Sequence, residues 1–284
     1  MPDDNRLGAF LRARRELVTP EQAGVTAYGR RRVPGLRREE LAMLAGVSAA
    51  YYVRLEQGRD RHPSEQVIDA LARVLQLDDD ALEHLRALAA PTTRRRRSAS
   101  ARPERVRPEL ARLVAAQPTP ATVLSRHMDV LAANALASAL HPSYRAGRNI
   151  VRDVFLDAGA RAQYVDVPRR CASSVASLRA AVGADLDDPR LTELVGELSL
   201  KSDEFRRLWA RHDVHEKSGG SKSYDHPQLG ELTLAYQSFN VPGTAGQLLL
   251  IYTAPPDSAA EQSLALLVTI AAEERGVSIS SAPR

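Results

Sequence analysis

LRREELAMLAGVSAAYYVRLEQGRDR, residues 36–61, decides how the chain is read. Leu41, Leu44 and Ala45 recur at spacings of three and four, so a helix over about residues 36–45 puts them on one face. Gly46 stands where a left-handed residue closes a helix at little cost. Val47 plugs the turn, and Ser48 is a good N-cap, its hydroxyl accepting from a first-turn N–H. A second helix then runs from Ala49 to about Gln57, and Gly58 ends it. Tyr52 and Leu55 point one way and belong to a core. Ala49, Ala50, Tyr51 and Arg54 point largely the other way, as an exposed face with a small leading end. Such a face suits a helix that enters the major groove, because small residues let the backbone close on the base edges. Arg54, one turn later, can offer a two-pronged donor to guanine, worth about 1–3 kcal/mol of discrimination. Arg37 and Arg38 ahead of it, Ser48 at the cap, and Arg59 and Arg61 just beyond it are placed for phosphates, which set register without reading sequence. A helical hairpin in any all-α domain shares the helix–Gly–helix outline. The cap, the small leading face, the arginine positions and the LEQGR ending favour the DNA reading.

VSAAYYVRLEQGR resembles the recognition segment of the XRE/Cro-repressor class of helix-turn-helix proteins. The longer GRRRVPGLRREELAMLAGVSAAYYVRLEQGRDRHPSEQVIDALARVL resembles one branch of that class, the MmyB-like transcriptional regulators. The likeness continues through DVLAANALASAL, DPRLTELVGELSLKSDEFRRLWARHDV and HPQLGELTLAYQSF. It implies a C-terminal PAS-like ligand-binding domain and leaves the ligand open.

Composition agrees with two soluble domains. The 284 residues suffice for two cores of ordinary size. Hydrophobic residues at 44% and charged residues at 26% are globular fractions. No apolar run nears the roughly 20 residues of a membrane helix. MPDDNRLGAF is acidic, then amphipathic, unlike a secretory signal. One cysteine allows no internal disulfide and fits a reducing cytoplasm. Charge is uneven: of the chain's 39 Lys+Arg and 35 Asp+Glu, residues 1–107 hold 21 and 15, leaving 18 and 20 for the rest. The basic half attracts polyanions and speeds their capture. The expectation is one half for nucleic acid and one for something else, in a cytoplasmic, nucleoid-associated protein.

Upstream, Asp4 or Asn5 can cap a first helix, with Leu7, Phe10, Leu11 and Leu17 as its apolar stripe and Arg12, Arg14 and Arg15 facing out. Residues 21–35 hold Gly24, Gly29, Pro34 and Gly35 and read as a loop. Within it, Arg30, Arg31 and Arg32 form either a solvated loop or an arm along phosphates; three adjacent side chains cannot all enter one minor groove. Downstream, Ser64 caps a helix faced by Val67, Ile68, Leu71 and Leu75. Asp78, Asp79 and Asp80 then open a fifth helix at its positive end. Residues 1–91 are thus an all-α five-helix domain. Residues 92–107, with four successive arginines from Arg94, cannot bury a core and read as a basic linker, tracking the DNA backbone or simply solvated.

Residues 108–284 read as α+β. A helix over 109–117, a strand over 122–131, a helix capped by Asn134 and several helical stripes come first. A hairpin around Gly219-Gly220, the alternating LGELTLAYQSF, the apolar LLLIY and a closing helix over 257–275 follow. A mostly antiparallel sheet with helices on one face matches the PAS-like fold that the resemblance implies. Phe155, Trp209, Tyr236 and Tyr252 are aromatics on elements that should meet, either as plain core or as the lining of a mostly apolar effector pocket. Cys171 is either filler or a redox sensor whose thiolate Arg169 and Arg170 would favour. SGGSKS lacks phosphate-loop spacing. His212, His215 and His226 fall on different elements with no cysteine near, so no metal, no cofactor and no enzyme is expected. The sequence predicts a regulator that binds double-stranded DNA as a homodimer and answers to a small, mostly apolar effector. The alternatives are a DNA-tethered protein-interaction module and an enzyme fused to a DNA-binding domain.

Overall fold

Asn5 starts the first helix of the computed structural model, which describes residues 5–25, 34–90, 104–183, 188–214 and 218–280, with side chains as far as residue 273. The described residues fall into two units by their internal contacts: residues 5–90 with 183 and 207–214, and the remainder. In the first, α1 (Arg6–Leu17), α2 (Arg38–Leu44), α3 (Ala49–Glu56), α4 (Glu65–Val74) and α5 (Asp79–Ala89) follow in order. Ser48, Ser64 and Asp78 cap α3, α4 and α5 by accepting from the N–H groups of Tyr51, Val67 and Ala81. These are donors that no helical carbonyl can reach. Phe10, Leu11, Leu36, Leu41, Tyr52, Leu55, Leu71 and Leu85 form the core.

Helix α1 departs from its expected face. Leu17 is exposed at the helix end, whereas Arg15, expected to face solvent, is buried. A buried guanidinium is tolerable only with a partner, and the partner is Glu56 of α3. The two helices approach closely at Gly8, where a Cβ would stand 2.2 Å from the Glu56 carbonyl oxygen. That carbonyl also accepts from Asn5 Nδ2 at 2.7 Å, so α1's cap residue ties down the end of α3.

The second unit opens with α6 (Pro108–Ala115). Strands β1 (Ala121–Leu124) and β2 (Val130–Ala133) pair antiparallel, so the one strand expected over 122–131 is two. Ser125 Oγ folds the chain between them by accepting from the N–H groups of His127 and Asp129, and Met128 takes a φ of 66°. Helices α7 (Ala135–Leu140), α8 (Ile150–Leu156), α9 (Ala158–Ala162), α10 (Val167–Val182), α11 (Pro189–Lys201) and α12 (Asp203–Ala210), the last from Arg207 on grouped with the first unit, follow. Then come β3 (Gly219–His226), β4 (Gly230–Asn240), β5 (Leu248–Thr253) and α13 (Ala259–Ser280). Gly219 and Gly220 lie inside β3, not at a hairpin tip. The turn comes later, where His226 Nδ1 accepts from the N–H groups of Gln228 and Leu229 and Gly230 takes a φ of 68°.

The five strands run β2-β1-β5-β4-β3, each antiparallel to its neighbour. Alternation sorts the side chains. Val123, Leu249 and Ile251 pack on one face with Val114 and Leu110 of α6. Tyr224, Leu232, Leu234, Tyr236, Leu250 and Tyr252 are buried on the other. Helices therefore meet both faces of the sheet, not one. Among the described residues no helix is long and apolar enough to cross a membrane.

Gly8→Ala tests the α1–α3 approach. Helix propensity alone would favour alanine by about 1 kcal/mol. The crowding at Glu56 reverses that sign, and the variant should lose about 1–3 kcal/mol in urea unfolding. A gain in stability would show that the two helices do not approach as described.

Candidate nucleic-acid interface and effector site

Helix α2 ends as its sequence dictates. Gly46 takes a φ of 68°, and the Val47 N–H donates back to the Ala42 carbonyl at 2.9 Å, closing the turn ahead of α3. On α3, Tyr52 and Leu55 are buried, Ala49, Ala50 and Arg54 are exposed, and Tyr51 is half-buried. The Arg54 guanidinium lies 5.5 Å from the Tyr51 ring centroid, and its Nη2 stands 3.8 Å from Asp60 Oδ2. These loose contacts hold the side chain over the exposed face without consuming its donors. Ser48 is exposed; its oxygen accepts from the Tyr51 N–H at 3.1 Å, which leaves its own proton to donate outward.

The arginines divide. Arg37, Arg59 and Arg61 are exposed, and Arg61 Nε donates to the Gly58 carbonyl at 3.0 Å. Arg38 differs: its Nε donates to Glu56 Oε2, and this bond holds its pKa above the ordinary value. It is therefore half committed to the interior before any phosphate arrives. Arg30, Arg31 and Arg32 lie outside the described residues.

Glu56 was not singled out in the sequence, although it sits four residues after Tyr52 and so shares its core-facing side. Arg15 Nε and Nη2 reach its Oε1 at 3.0 and 2.7 Å, and Arg15 Nη1 donates to the Leu36 carbonyl at 2.7 Å. One carboxylate thus joins α1, the start of α2 and the end of α3.

The ring contacts described for the four aromatics expected to line a pocket are separate ones. Tyr236 and Tyr252 face each other across β4 and β5 with centroids 6.1 Å apart. Phe155 meets Phe205 edge-on at 5.2 Å. Trp209 belongs to the stretch that groups with the first unit. What surrounds Tyr252 is a set of further tyrosines. The Tyr144 hydroxyl bonds those of Tyr252 and Tyr224, and Tyr224 donates to Tyr252 at 3.0 Å. Lys222 Nζ donates to Tyr252 at 2.9 Å and sits 4.3 Å from the Tyr236 centroid. Tyr164 stacks on His141 at 4.4 Å, and the Arg170 guanidinium lies 5.0 Å from the Tyr164 centroid. Burial pushes the Tyr164, Tyr224 and Tyr252 hydroxyls up, so they stay neutral donors. Burial opposes the Arg170 charge, but Tyr164, Tyr144, Tyr224 and Tyr252 favour it and its pKa is raised. The arrangement can hold a polar group by donation from phenols and two cations. Lys222 and Tyr224 fall on the face of β3 that a hairpin at Gly219-Gly220 would have dissolved, which is why alternation did not find them.

Residues 106–267, more than half of the chain, match the model of the MmyB-like transcription regulator ligand binding domain. The chain belongs to the MmyB-like transcription regulators. Residues 6–85, which span α1 to α4 and most of α5, match a helix-turn-helix domain. No curated protein matches the chain. This MmyB-like chain therefore joins a helix-turn-helix domain, which implies DNA binding, to a regulator's ligand-binding domain.

The regulator's lone thiol is not an activated one. Cys171 is buried, which pushes its pKa up to about 11; Glu204 adds to this, and Arg161, whose Nη1 donates to Sγ at 3.4 Å, only offsets part of it. The arginines expected to favour thiolate are elsewhere, Arg169 exposed and Arg170 over Tyr164. His226 Nε2 donates to the Ala139 carbonyl at 3.0 Å, His212 takes a φ of 55°, and His215 lies outside the described residues.

Two measurements follow from these networks. Glu56→Ala strands the Arg15 charge in the core and should cost about 3–5 kcal/mol in urea unfolding; a loss under about 1 kcal/mol would refute the network's role. His141 is held neutral: burial, then Arg170, lower its pKa from 6.5 to about 3, while its Nε2–H donates to the Ala160 carbonyl at 3.0 Å. Between those two values the unfolded chain binds the extra proton. Stability should therefore be full above about pH 6.5 and fall as pH drops toward about 3, by at most about 1.4 kcal/mol per unit. His141→Gln should flatten that slope in acid titrations followed by circular dichroism; an unchanged slope would assign it to other groups.

Proposed function

We propose that the chain is a sequence-specific transcription regulator of the cytoplasm that reads duplex DNA with Ala49, Ala50, Tyr51 and Arg54. The reading rests on one observation. Ala49, Ala50 and Arg54 are exposed on the side of α3 opposite the buried Tyr52 and Leu55. Arg37, Ser48, Arg59 and Arg61 flank that side and set the register on phosphates, with Arg38 contributing only what Glu56 leaves free. Two copies on a near-palindromic site would place their recognition helices about 34–36 Å apart or a multiple of that distance. The exposed Leu266 and Val268 of α13 support pairing of this kind, since an apolar surface in water favours association.

The second unit takes a small-molecule effector at the tyrosine face of its sheet. Such a ligand changes DNA affinity only through a difference in its own affinity for the DNA-competent and incompetent states. The hydroxyl cluster and Lys222 support a polar end on the small, mostly apolar ligand that the sequence predicts.

The test is a site selected from random duplexes, then titrated at two salt concentrations. Arg54→Ala should cost about 1–3 kcal/mol on the preferred site and little on unrelated duplexes. Arg37→Ala should weaken all duplexes alike and lower the salt slope by about 1. Footprinting should reveal two related half-sites. Equal effects of the two substitutions on every sequence would overturn the assignment of α3 as the reading element.

A further inference from the structure

We propose that Asp60 is a specificity-determining positioning residue: its carboxylate steers the Arg54 guanidinium onto one base and keeps it off the phosphates. The proposal rests on the reading of α3 as the helix that meets DNA, and deepens it by naming what makes Arg54 selective.

The chain folds Asp60 back beside Arg54. Gly58, at a φ of 69°, turns the backbone at the end of α3, and the N–H groups of Arg59 and Asp60 both return to the Arg54 carbonyl, at 2.9 and 3.3 Å. Asp60 is thereby held by the same residue that its side chain faces. Its Oδ2 stands 3.8 Å from Arg54 Nη2, and the Tyr51 ring, about one turn earlier on α3, has its centroid 5.5 Å from the guanidinium carbon. A carboxylate and an aromatic ring therefore both hold the guanidinium. At 3.8 Å the ion pair is too long for a hydrogen bond, so it orients the charge and leaves the donors of Arg54 for a base. Both ends are accessible: the Arg54 side chain is 50% exposed and that of Asp60 34%.

An acid at this place needs a reason. Arg37, Arg59 and Arg61 are exposed around α3, and such a surface attracts phosphates. A carboxylate among them repels phosphates and lowers affinity for every duplex. The compensation is discrimination, which is a difference between affinities. An untethered arginine swings to the nearest phosphate, where it carries no sequence information. Held by Asp60 and Tyr51, Arg54 loses less rotamer freedom when it meets a base, and its charge is already partly answered. The guanine edge, with two acceptors side by side, matches a guanidinium kept in one place with its donors unused. A cytosine there presents an amino donor, from which a guanidinium cannot accept. Asp60 thus lowers general affinity and raises the penalty for the wrong base.

Selection from random duplexes with the full chain, then titration of single-base variants of the selected site, tests this. Arg54→Ala first marks the base pair whose preference it relaxes. Asp60→Asn, which removes the charge and keeps the shape, should lower the preference at that same base pair about two- to fivefold, the range that an exposed ion pair supplies. Preferences at the other positions should stay unchanged. The same variant should tighten unrelated duplexes and steepen their salt dependence. In the Arg54→Ala background, Asp60→Asn should alter no base preference. Asp60→Glu, which keeps the charge, should retain most of the preference. A merely structural Asp60 would instead weaken all duplexes alike on substitution. That result, an unchanged preference in Asp60→Asn, or equal loss in Asp60→Glu and Asp60→Asn would overturn the proposal. The outcomes separate it from the reading beneath it. If Arg54→Ala relaxes one base pair and Asp60→Asn does not, the positioning role falls and α3 remains the reading element. If Arg54→Ala relaxes none, both fall.

Discussion

The carboxylate of Glu56 is held between Arg15 and Arg38, and the placement of α3 depends on it. Burying those charges is costly and is repaid only if geometry is good and every donor finds an acceptor. Each nitrogen of Arg15 has an acceptor: Nε and Nη2 reach Glu56, and Nη1 reaches the Leu36 carbonyl, just before α2. Three elements are thus pinned to one anion at the end of the recognition helix. Apolar packing of Tyr52 and Leu55 alone fixes which side of α3 is buried, but it tolerates small rotations and slides. A directional ion pair does not, and base readout needs that precision because hydrogen bonds to base edges weaken steeply off line.

Arg38 has two demands on one side chain. It is about half exposed and lies beside the surface proposed to meet DNA, yet its Nε is already bonded to Glu56. A phosphate near it would find a guanidinium oriented by the interior of the domain, and the carboxylate would tune how much of its charge reaches the DNA. Arg37 is exposed and has no such tie to Glu56.

The second unit repeats the theme with different chemistry. Beside the leucines on one face of its sheet it also buries hydroxyls, where Tyr144, from the turn between α7 and α8, bonds to Tyr224 and Tyr252 and these bond to each other. Each hydroxyl would be costly alone in an apolar interior. Together they satisfy one another, and Lys222 donates to Tyr252 as well. A polar centre of this kind is a poor way to build stability and a good way to fix the orientation of a ligand.

Much of this was legible in the chain as written. Caps at Ser48, Ser64 and Asp78, the left-handed Gly46 and the alternation of Leu232, Leu234 and Tyr236 are local signals, read within a few residues, and they specified the helices, the turn and the sheet face. The match of residues 6–85 to a helix-turn-helix domain and of residues 106–267 to the MmyB-like domain agrees with that reading. What the sequence could not settle lies across distance. Arg15 meets Glu56 over 41 residues, and Tyr144 meets Tyr252 over 108. Arg15 looked like a solvent-facing arginine, and Cys171 looked activated by its sequence neighbours. Burial and partners, which only the folded chain supplies, decided both. Periodicity shows which side of an element is apolar, but a charge or hydroxyl on that side acquires its role from whatever the tertiary structure brings opposite it.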